Sequence, residues 1–344
     1  MADSVPRVLK SHARIRRCPD NPVLAPADVP YEASLVFNAG ITKFQGRYVM
    51  VFRDDYGWED GKGFAGTHLG LAFSDDGVSW TVEPEPCLTV EQFRELVRPV
   101  LANRSPEEIH RAYDPRLTVI DGRCYLCFAV DSRHGIRGGI AVTDDFHRFE
   151  LLSLSVPDNR NMVLFPERIG EKYVRLERPF PIYGRGAPER FDVWMSRSPD
   201  LVHWGEEDLV LGVEDVPFSN RKIGPGAPPV RTKKGWLTTF HAVDFDETRG
   251  KNGWERRWQK RYTVGLMLLD LEDPRRLIGL CREPLLAPEA DYETSGGYRC
   301  DVLFPGGMLL EPDGEVKIYY GAADTVECLA TAHVADLLSL CEPC

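Results

Sequence analysis

The stretch HRAYDPRLTVIDGRCYLCFAVD places a carboxylate, Asp114, at the head of what reads as a β-hairpin. An aspartate before a proline at a strand mouth can donate a proton to a departing oxygen, or it can cap a turn. Inverting hydrolysis of a glycoside needs two such groups, an acid for the leaving oxygen and a carboxylate base for water. Asp54, Asp301 and Asp324 are the carboxylates that could supply the second. The residues that recur at comparable places along the chain are of mixed sign. Asn38, Asp114, Arg160, Lys222 and Asp301 stand before or at the first strands of five hairpins. Arg53 with Asp54, Asp131, Arg178, His241 and Asp324 close the second strands. Each has an ordinary reading: a strand-end arginine in LERP is solvated or paired, Lys222 sits in a Gly/Pro loop, and His241 alternates with apolar neighbours as a core histidine does. Their shared position at hairpin mouths favours one site. Tyr56, Trp58, Trp254 and Trp258 add aromatic faces that can cover the C–H faces of pyranose rings. The basic stretch RGKNGWERRWQKRY reads as a long loop over the mouth of that site.

The elements that must position these residues form a repeat. GITKFQGRYVMVFRDD from Gly40, DPRLTVIDGRCYLCFAVD from Asp114, VLFPERIGEKYVRLERP from Val163, APPVRTKKGWLTTFHAVD from Ala227 and GGMLLEPDGEVKIYYGAAD from Gly306 each read as two strands around a polar turn. Each is followed by an apolar strand entering a further turn: LGLAFSDDGVSW, GIAVTDDFHRFE, DVWMSRSPDLVHW, VGLMLLDLEDPRRL and CLATAHVADLLSL. A hairpin, a third strand and an outer strand make one four-stranded blade, so the expectation is an all-β, five-bladed β-propeller forming a single domain over residues 1–344. A two-sheet β-sandwich is the competing arrangement. VEQFRELVRPVLANRSPEEIH reads as a helical insertion near residues 90–110, and residues 1–20 as an N-terminal extension.

The composition sets outer limits. The 344 residues are 43% hydrophobic and 28% charged, with a net charge of −11. That balance argues against nucleic acid as a partner. No apolar run approaches a membrane span, and the N-terminus has no signal-peptide pattern. Nine cysteines, an odd number without framework spacing, suit a reducing cytoplasm. Self-association as a homo-oligomer is compatible with the sequence.

NPVLAP, VFNAGITKF, YDPRLTVIDG, NRNMVLFPERI, LERP, KIGPGAPP, GWLTTFHAV, LLDLEDP, VLFPGGM and IYYGAADT occur in order from about Asn21 to Cys328. In these the chain resembles glycoside hydrolase family 130, the inverting β-mannoside phosphorylases and related mannosidases. The resemblance implies a five-bladed propeller with Asp114 as the single catalytic acid, its proton relayed through the sugar's 3-hydroxyl. It implies that Arg160, Arg178, Lys222 and His241 bind inorganic phosphate. Asn38, Arg53, Asp54 and Asp324 match positions near the mannosyl unit, and Asp301 and Tyr56 are added as substrate-binding candidates. Phosphate is already an anion and needs positioning rather than a base, so the basic set would replace the second carboxylate. The expected reaction joins phosphate to a β-mannooligosaccharide, β-1,4 favoured and β-1,2 the rival, giving α-D-mannose 1-phosphate. It uses no metal and no organic cofactor, phosphate being the co-substrate. A family hydrolase and a non-catalytic carbohydrate-binding propeller are the alternatives.

Overall fold

The computed structural model describes residues 8–101, 105–180, 190–249, 253–254 and 259–344. Five antiparallel sheets succeed one another along the chain as the blades of a propeller. Blade 1 comprises β2 (Leu35–Phe44), β3 (Arg47–Tyr56), β4 (Gly66–Ser74) and β5 (Thr81–Val82), with β1 (Arg16–Arg17) placed elsewhere. Blade 2 comprises β6 (Ile109–Ile120), β7 (Arg123–Ser132), β8 (Gly135–Thr143) and β9 (Glu150–Leu154). Blade 3 comprises β10 (Asn159–Leu164), β11 (Tyr173–Pro179), β12 (Val193–Ser198) and β13 (Gly205–Leu211). In blade 4 the inner strand is split into β14 (Lys222–Pro225) and β15 (Val230–Arg231), both paired to β16 (Trp236–Phe245), followed by β17 (Lys260–Leu269) and β18 (Leu277–Leu280). Blade 5 comprises β19 (Leu303–Leu310), β20 (Glu315–Ala322) and β21 (Val326–His333).

Alternation along each strand distributes apolar side chains to the two neighbouring blades. Val49 and Val51 of β3 pack with Leu117, Leu126 and Phe128 of blade 2. Met50 and Phe52, one residue out of phase, pack with Tyr319 and Leu329 of blade 5. The same division recurs at the other interfaces, so the core is a set of layers between blades. The inserted helix α1 (Val90–Leu101) adds Phe93 and Val97 to the layer between blades 1 and 2. The Arg94 guanidinium donates to the Ile109 carbonyl at 3.0 and 3.1 Å and ties the helix to β6.

Two features differ from the sequence expectation. The first strands begin upstream of the anticipated starts, at Leu35, Ile109, Asn159, Lys222 and Leu303. The cause is a break in pattern at the site residues themselves, described below. The second is the closing blade. Its expected outer strand, within CLATAHVADLLSL, is instead the helix α3 (Val334–Leu340), beyond the short α2 (Asp291–Thr294). Val334, Leu337 and Leu338 share one helical face and all pack on the layer between blades 4 and 5. The outer edge is taken by β1, which pairs Arg16 with Thr331 and Arg17 with Ala330. Part of the segment expected as an extension therefore closes the ring.

Closure is fixed by a charged latch. Arg17 donates through Nε to Glu293 Oε1 (2.7 Å) and through Nη2 to Glu293 Oε2 (2.8 Å). Glu293 is fully buried and also accepts from the Tyr320 hydroxyl and from the Glu289 and Ala290 amides. Removing one partner of such a pair leaves an uncompensated buried charge. Arg17→Ala is expected to lower unfolding free energy by about 3 kcal/mol in urea titration, whereas Arg14→Ala, whose pair with Asp336 is exposed, should change it by less than about 1 kcal/mol.

Candidate active site

The catalytic candidate does not sit at a strand mouth. Asp114 lies inside β6, at a point where the pairing with β7 slips between Tyr113 and Arg116. Matching slips occur in β2 between Phe37 and Gly40 and in β10 between Arg160 and Val163. At these bulges Asn38, Asp114 and Asn161 adopt left-handed backbone, with φ of 54°, 52° and 58°. Asn and Asp tolerate that conformation better than other side chains with a Cβ. A bulge re-aims one side chain out of the alternation, and here it does so in three successive blades. The polar residue at each bulge breaks the apolar alternation, which is why each strand reads from the sequence as starting at or after the bulge.

The inner strands approach so closely that a Cβ on Gly306 would lie 1.9 Å from the Ala39 carbonyl oxygen. Across this constriction lies Arg116, buried at 1% exposure. It donates through Nε to the Gly226 carbonyl (2.6 Å), through Nη1 to those of Pro115 (2.7 Å) and Asn38 (3.4 Å), and through Nη2 to that of Pro305 (2.9 Å). One side chain thus joins backbone from blades 1, 2, 4 and 5 and places a positive charge beneath Asp114. Glu327 supports the same floor, accepting from the Ala39 amide at 3.1 Å. Burial pushes its carboxyl up to about 8, against the backbone hydrogen bonds and Arg116.

Above the floor is a pocket lined by Asn38, Arg53, Asp55, Asp114, Arg160 and Asp324, with Phe37, Phe64, Arg111, Tyr113, Tyr262, Tyr298, Arg299, Val302 and Phe304 around them. Asp114 Oδ1 accepts from Asn38 Nδ2 at 2.9 Å and faces Arg53 Nη1 at 3.5 Å. Burial alone would push its carboxyl up. Arg53, Arg116, Arg160 and the Asn38 amide outweigh burial and hold it below the usual aspartate value. Arg53 forks onto Asp55 (Nε to Oδ1 3.0 Å, Nη2 to Oδ2 2.6 Å) and lies between the rings of Phe37 and Tyr113. Thr67 donates to Asp55 as well, at 2.6 Å. Asp324, whose carboxyl is raised by burial, accepts from Arg299 at 3.2 Å.

The basic group forms the other wall. Arg160 and Arg178 are cross-strand neighbours in blade 3. His241 of β16 lies against Phe304 and Tyr262, with ring centroids 4.6 and 6.1 Å apart. Arg178 Nη1 and His241 Nε2 are 2.8 Å apart. Arginine can only donate, so Nε2 accepts and the ring proton sits on Nδ1. Burial, then Arg178, Lys222, Arg116 and Arg160, hold His241 well below the ordinary histidine value, so the ring is neutral. Lys222 lies over the Tyr262 ring at 5.5 Å. Burial and Arg160 push Arg178 down to about 9, with partial relief from Tyr262, Tyr113 and Asp114. Arg178 Nε and Nη2 and Arg160 Nε are buried and meet no hydrogen-bond acceptor among the described residues. Arg160 lines the pocket, and Arg178, Lys222 and His241 stand beside it at 1%, 8% and 0% exposure. Donors of this kind can hold an oxyanion on forked N–H groups.

Three expected site residues lie elsewhere. Asp54 and Tyr56 alternate with Arg53 and Asp55, so they fall on the opposite face of β3, in phase with Met50 and Phe52. Asp54 stands opposite His68 in register, and Tyr56 stacks on the His68 ring at 4.3 Å. Asp301 turns toward Asp244, Arg249 and Arg261, while its backbone links Tyr262 and Glu293. Asp55 is the pocket carboxylate of the RDDY run, and strand parity counted from Arg53 was the signal for it. Arg299 and Tyr298 were missed because they lie between α2 and β19, in a segment without strand periodicity. At the rim Trp58, Phe64, Tyr298 and Trp254 form one aromatic cluster, with successive centroids 4.7, 5.3 and 6.4 Å apart. Trp258 and much of the expected mouth loop lie outside the described residues.

A family model described as β-1,4-mannooligosaccharide phosphorylase, that of glycoside hydrolase family 130, matches residues 13–343. The chain is 30% identical over 330 residues to a 1,2-β-oligomannan phosphorylase of Thermoanaerobacter sp. (strain X514), covering 94% of this chain and 99% of that one. It is 32% identical over 328 residues to a β-1,4-mannooligosaccharide phosphorylase of Ruminococcus albus, covering 92% and 88%. The solved β-1,2-mannobiose phosphorylase from Listeria innocua, in complex with β-1,2-mannobiose, superposes with a TM-score of 0.76 at 24% identity over 95% of this chain and 98% of that one.

Asp54 gives the site's neighbourhood a pH signature. Both its oxygens are buried without a hydrogen-bond partner among the described residues, and Tyr31 lies close by. Burial, then Asp55 and Glu32, push its carboxyl from 3.8 up to about 8. The folded chain therefore binds one more proton than the unfolded chain between those values, and stability falls as pH rises through that window. Urea titrations from pH 5 to 8 should show a decline in Asp54→Asn that is shallower than wild type by about 1.4 kcal/mol per pH unit.

Proposed function

This chain belongs to glycoside hydrolase family 130, and from that premise we propose that it is an inverting β-mannoside phosphorylase. It takes inorganic phosphate and a β-mannooligosaccharide, linked β-1,4 or β-1,2, and yields α-D-mannose 1-phosphate and a shortened acceptor. Relatives of both linkages resemble the chain to a similar degree. The carrying observation is the pair of buried guanidinium groups, Arg160 and Arg178, with N–H groups unpaired among the described residues, beside Asp114, whose Oδ1 is held by the Asn38 amide at 2.9 Å.

The division of the pocket supports phosphorolysis over hydrolysis. A hydrolase needs a carboxylate to activate water. Asp55 is engaged by Arg53 and Thr67, and Asp324 by Arg299. The basic wall would attract phosphate and orient it for attack on the anomeric carbon. Asp114 is the proton donor on the opposite side. In the unliganded site it is held ionised by Arg53, Arg116 and Arg160 against burial. A bound phosphate offsets the pull of Arg160, which raises the Asp114 carboxyl toward the value a general acid needs. Phosphate binding thus recruits the nucleophile and prepares the acid together. The proton passes to the glycosidic oxygen, by way of the 3-hydroxyl in the family pattern, as phosphate bonds to carbon from the other face. The scheme uses no metal or organic cofactor. The nine cysteines, all free, suit a cytoplasmic enzyme.

β-1,4- and β-1,2-mannobiose, each incubated with and without phosphate, test the assignment by chromatography of the products. Mannose 1-phosphate should form from at least one of them, and only with phosphate. Equal sugar release in phosphate-free buffer would overturn the phosphorylase reading. Asp114→Asn should reduce turnover by roughly 10²-fold or more while phosphate still binds.

A further inference from the structure

Tyr113, next to the catalytic candidate, is the point at which the acid side and the basic side of the pocket meet. Its ring carries Arg53 on one side (5.1 Å from guanidinium carbon to centroid), with Arg111 at 4.7 Å and Arg160 at 6.0 Å. Its hydroxyl accepts from Arg160 Nη1 at 3.0 Å and lies 2.7 Å from Asp131 Oδ1. Asp131 Oδ2 accepts from Arg111 Nε at 2.6 Å, the two residues being directly opposed across β6 and β7. A phenol has one proton to give. Burial, with Asp131 and Asp114 adding to it and Arg160 opposing, pushes the Tyr113 phenol up to about 12, so it keeps that proton. The carboxylate of Asp131 can only accept, so the proton points to Asp131 and a lone pair is left for Arg160.

We propose that Asp131 is a positioning residue for phosphorolysis: by fixing the direction of the Tyr113 hydroxyl, it holds the Arg160 guanidinium in the orientation that receives phosphate. Arg111 anchors Asp131 from the solvent side. The chain Arg111–Asp131–Tyr113–Arg160 alternates donor and acceptor from the rim to the buried wall. It also puts a negative charge one residue behind a wall crowded with positive ones. Arg160 Nη1 is thereby engaged, while Arg160 Nε remains without a hydrogen-bond acceptor among the described residues. Without Asp131 the Tyr113 hydrogen is free to rotate toward Arg160, where donor meets donor. The ring stays in place, so Arg53 and Asp114 keep their packing. The loss should therefore fall on phosphate and not on the mannoside.

This inference rests on the phosphorylase reading, and steady-state kinetics with each substrate varied in turn separates the two. Wild type that releases mannose 1-phosphate only with phosphate supports the reading; wild type without phosphate-dependent turnover overturns both. Given that activity, Asp131→Leu and Tyr113→Phe should each raise KM for phosphate about tenfold or more and leave KM for the mannoside within about twofold. The double variant should be no worse than the poorer single one, because both changes break one chain. Melting temperatures of all variants identify a merely structural loss. An unchanged phosphate KM in Asp131→Leu, equal shifts in both KM values, or additive effects in the double variant would overturn the proposal.

Discussion

Everything in the pocket is referred to the guanidinium of Arg116. A propeller has an open channel where its inner strands converge, and those strands expose carbonyl groups to it. Arg116 fills the constriction and satisfies carbonyls from four blades at 2.6 to 3.4 Å. Each of those carbonyls lies beside a site residue or a close-approach glycine: Asn38, Pro115 after Asp114, Gly226 and Pro305. The side chain that locks the blades together also closes the channel and supplies the positive floor under Asp114. Buried charge is costly unless it is paired. Here the partners are backbone dipoles and, through space, Asp114.

The electrostatic layout follows from that floor. On the Asp114 side of the pocket, carboxylates and guanidinium groups pair off: Arg53 with Asp55, Arg299 with Asp324. On the opposite wall, Arg160 and Arg178 carry N–H groups that meet no hydrogen-bond acceptor among the described residues, and His241 is kept neutral by the cations around it. Burial, with Arg160 beside it, holds Arg178 below the ordinary arginine value. In the proposed reaction an arriving anion would offset these charges and raise the Asp114 carboxyl by the same field. A second carboxylate on that wall would compete with the phosphate for the same donors.

The blade count was legible in the sequence because each blade repeats a hairpin, a third strand and a turn, and turn residues punctuate them. Asp114, Arg160 and Lys222 stood out at the starts of first strands, and Arg178 and His241 at the ends of second strands; the roles proposed for them came from the family resemblance. What misled was the strand start itself. At Asn38, Asp114 and Asn161 the strand continues through a left-handed residue, and a residue of that kind reads as a strand end. Asp54 and Tyr56 were misplaced because a run of polar residues hides which of them faces inward; only the phase set by Val49 and Val51 decides it. Asp301 sits at a hairpin mouth in sequence, yet its own left-handed backbone, φ 63°, turns it toward the base of another loop. Arg116 was quoted within YDPR without being assigned a role. A strand arginine becomes a strut only when four other backbones converge on it, and that convergence is a property of the closed ring.

On the proposed function, the buried cations of the basic wall cost stability that bound phosphate would restore. Thermal unfolding of wild type and Arg178→Met, each with and without saturating phosphate, tests it most directly. Phosphate should raise the wild-type melting temperature by several degrees. Arg178→Met, with a buried charge removed, should melt above wild type in phosphate-free buffer and gain little on adding phosphate. A wild type indifferent to phosphate, or an Arg178→Met variant that phosphate stabilises as much as wild type, would contradict it.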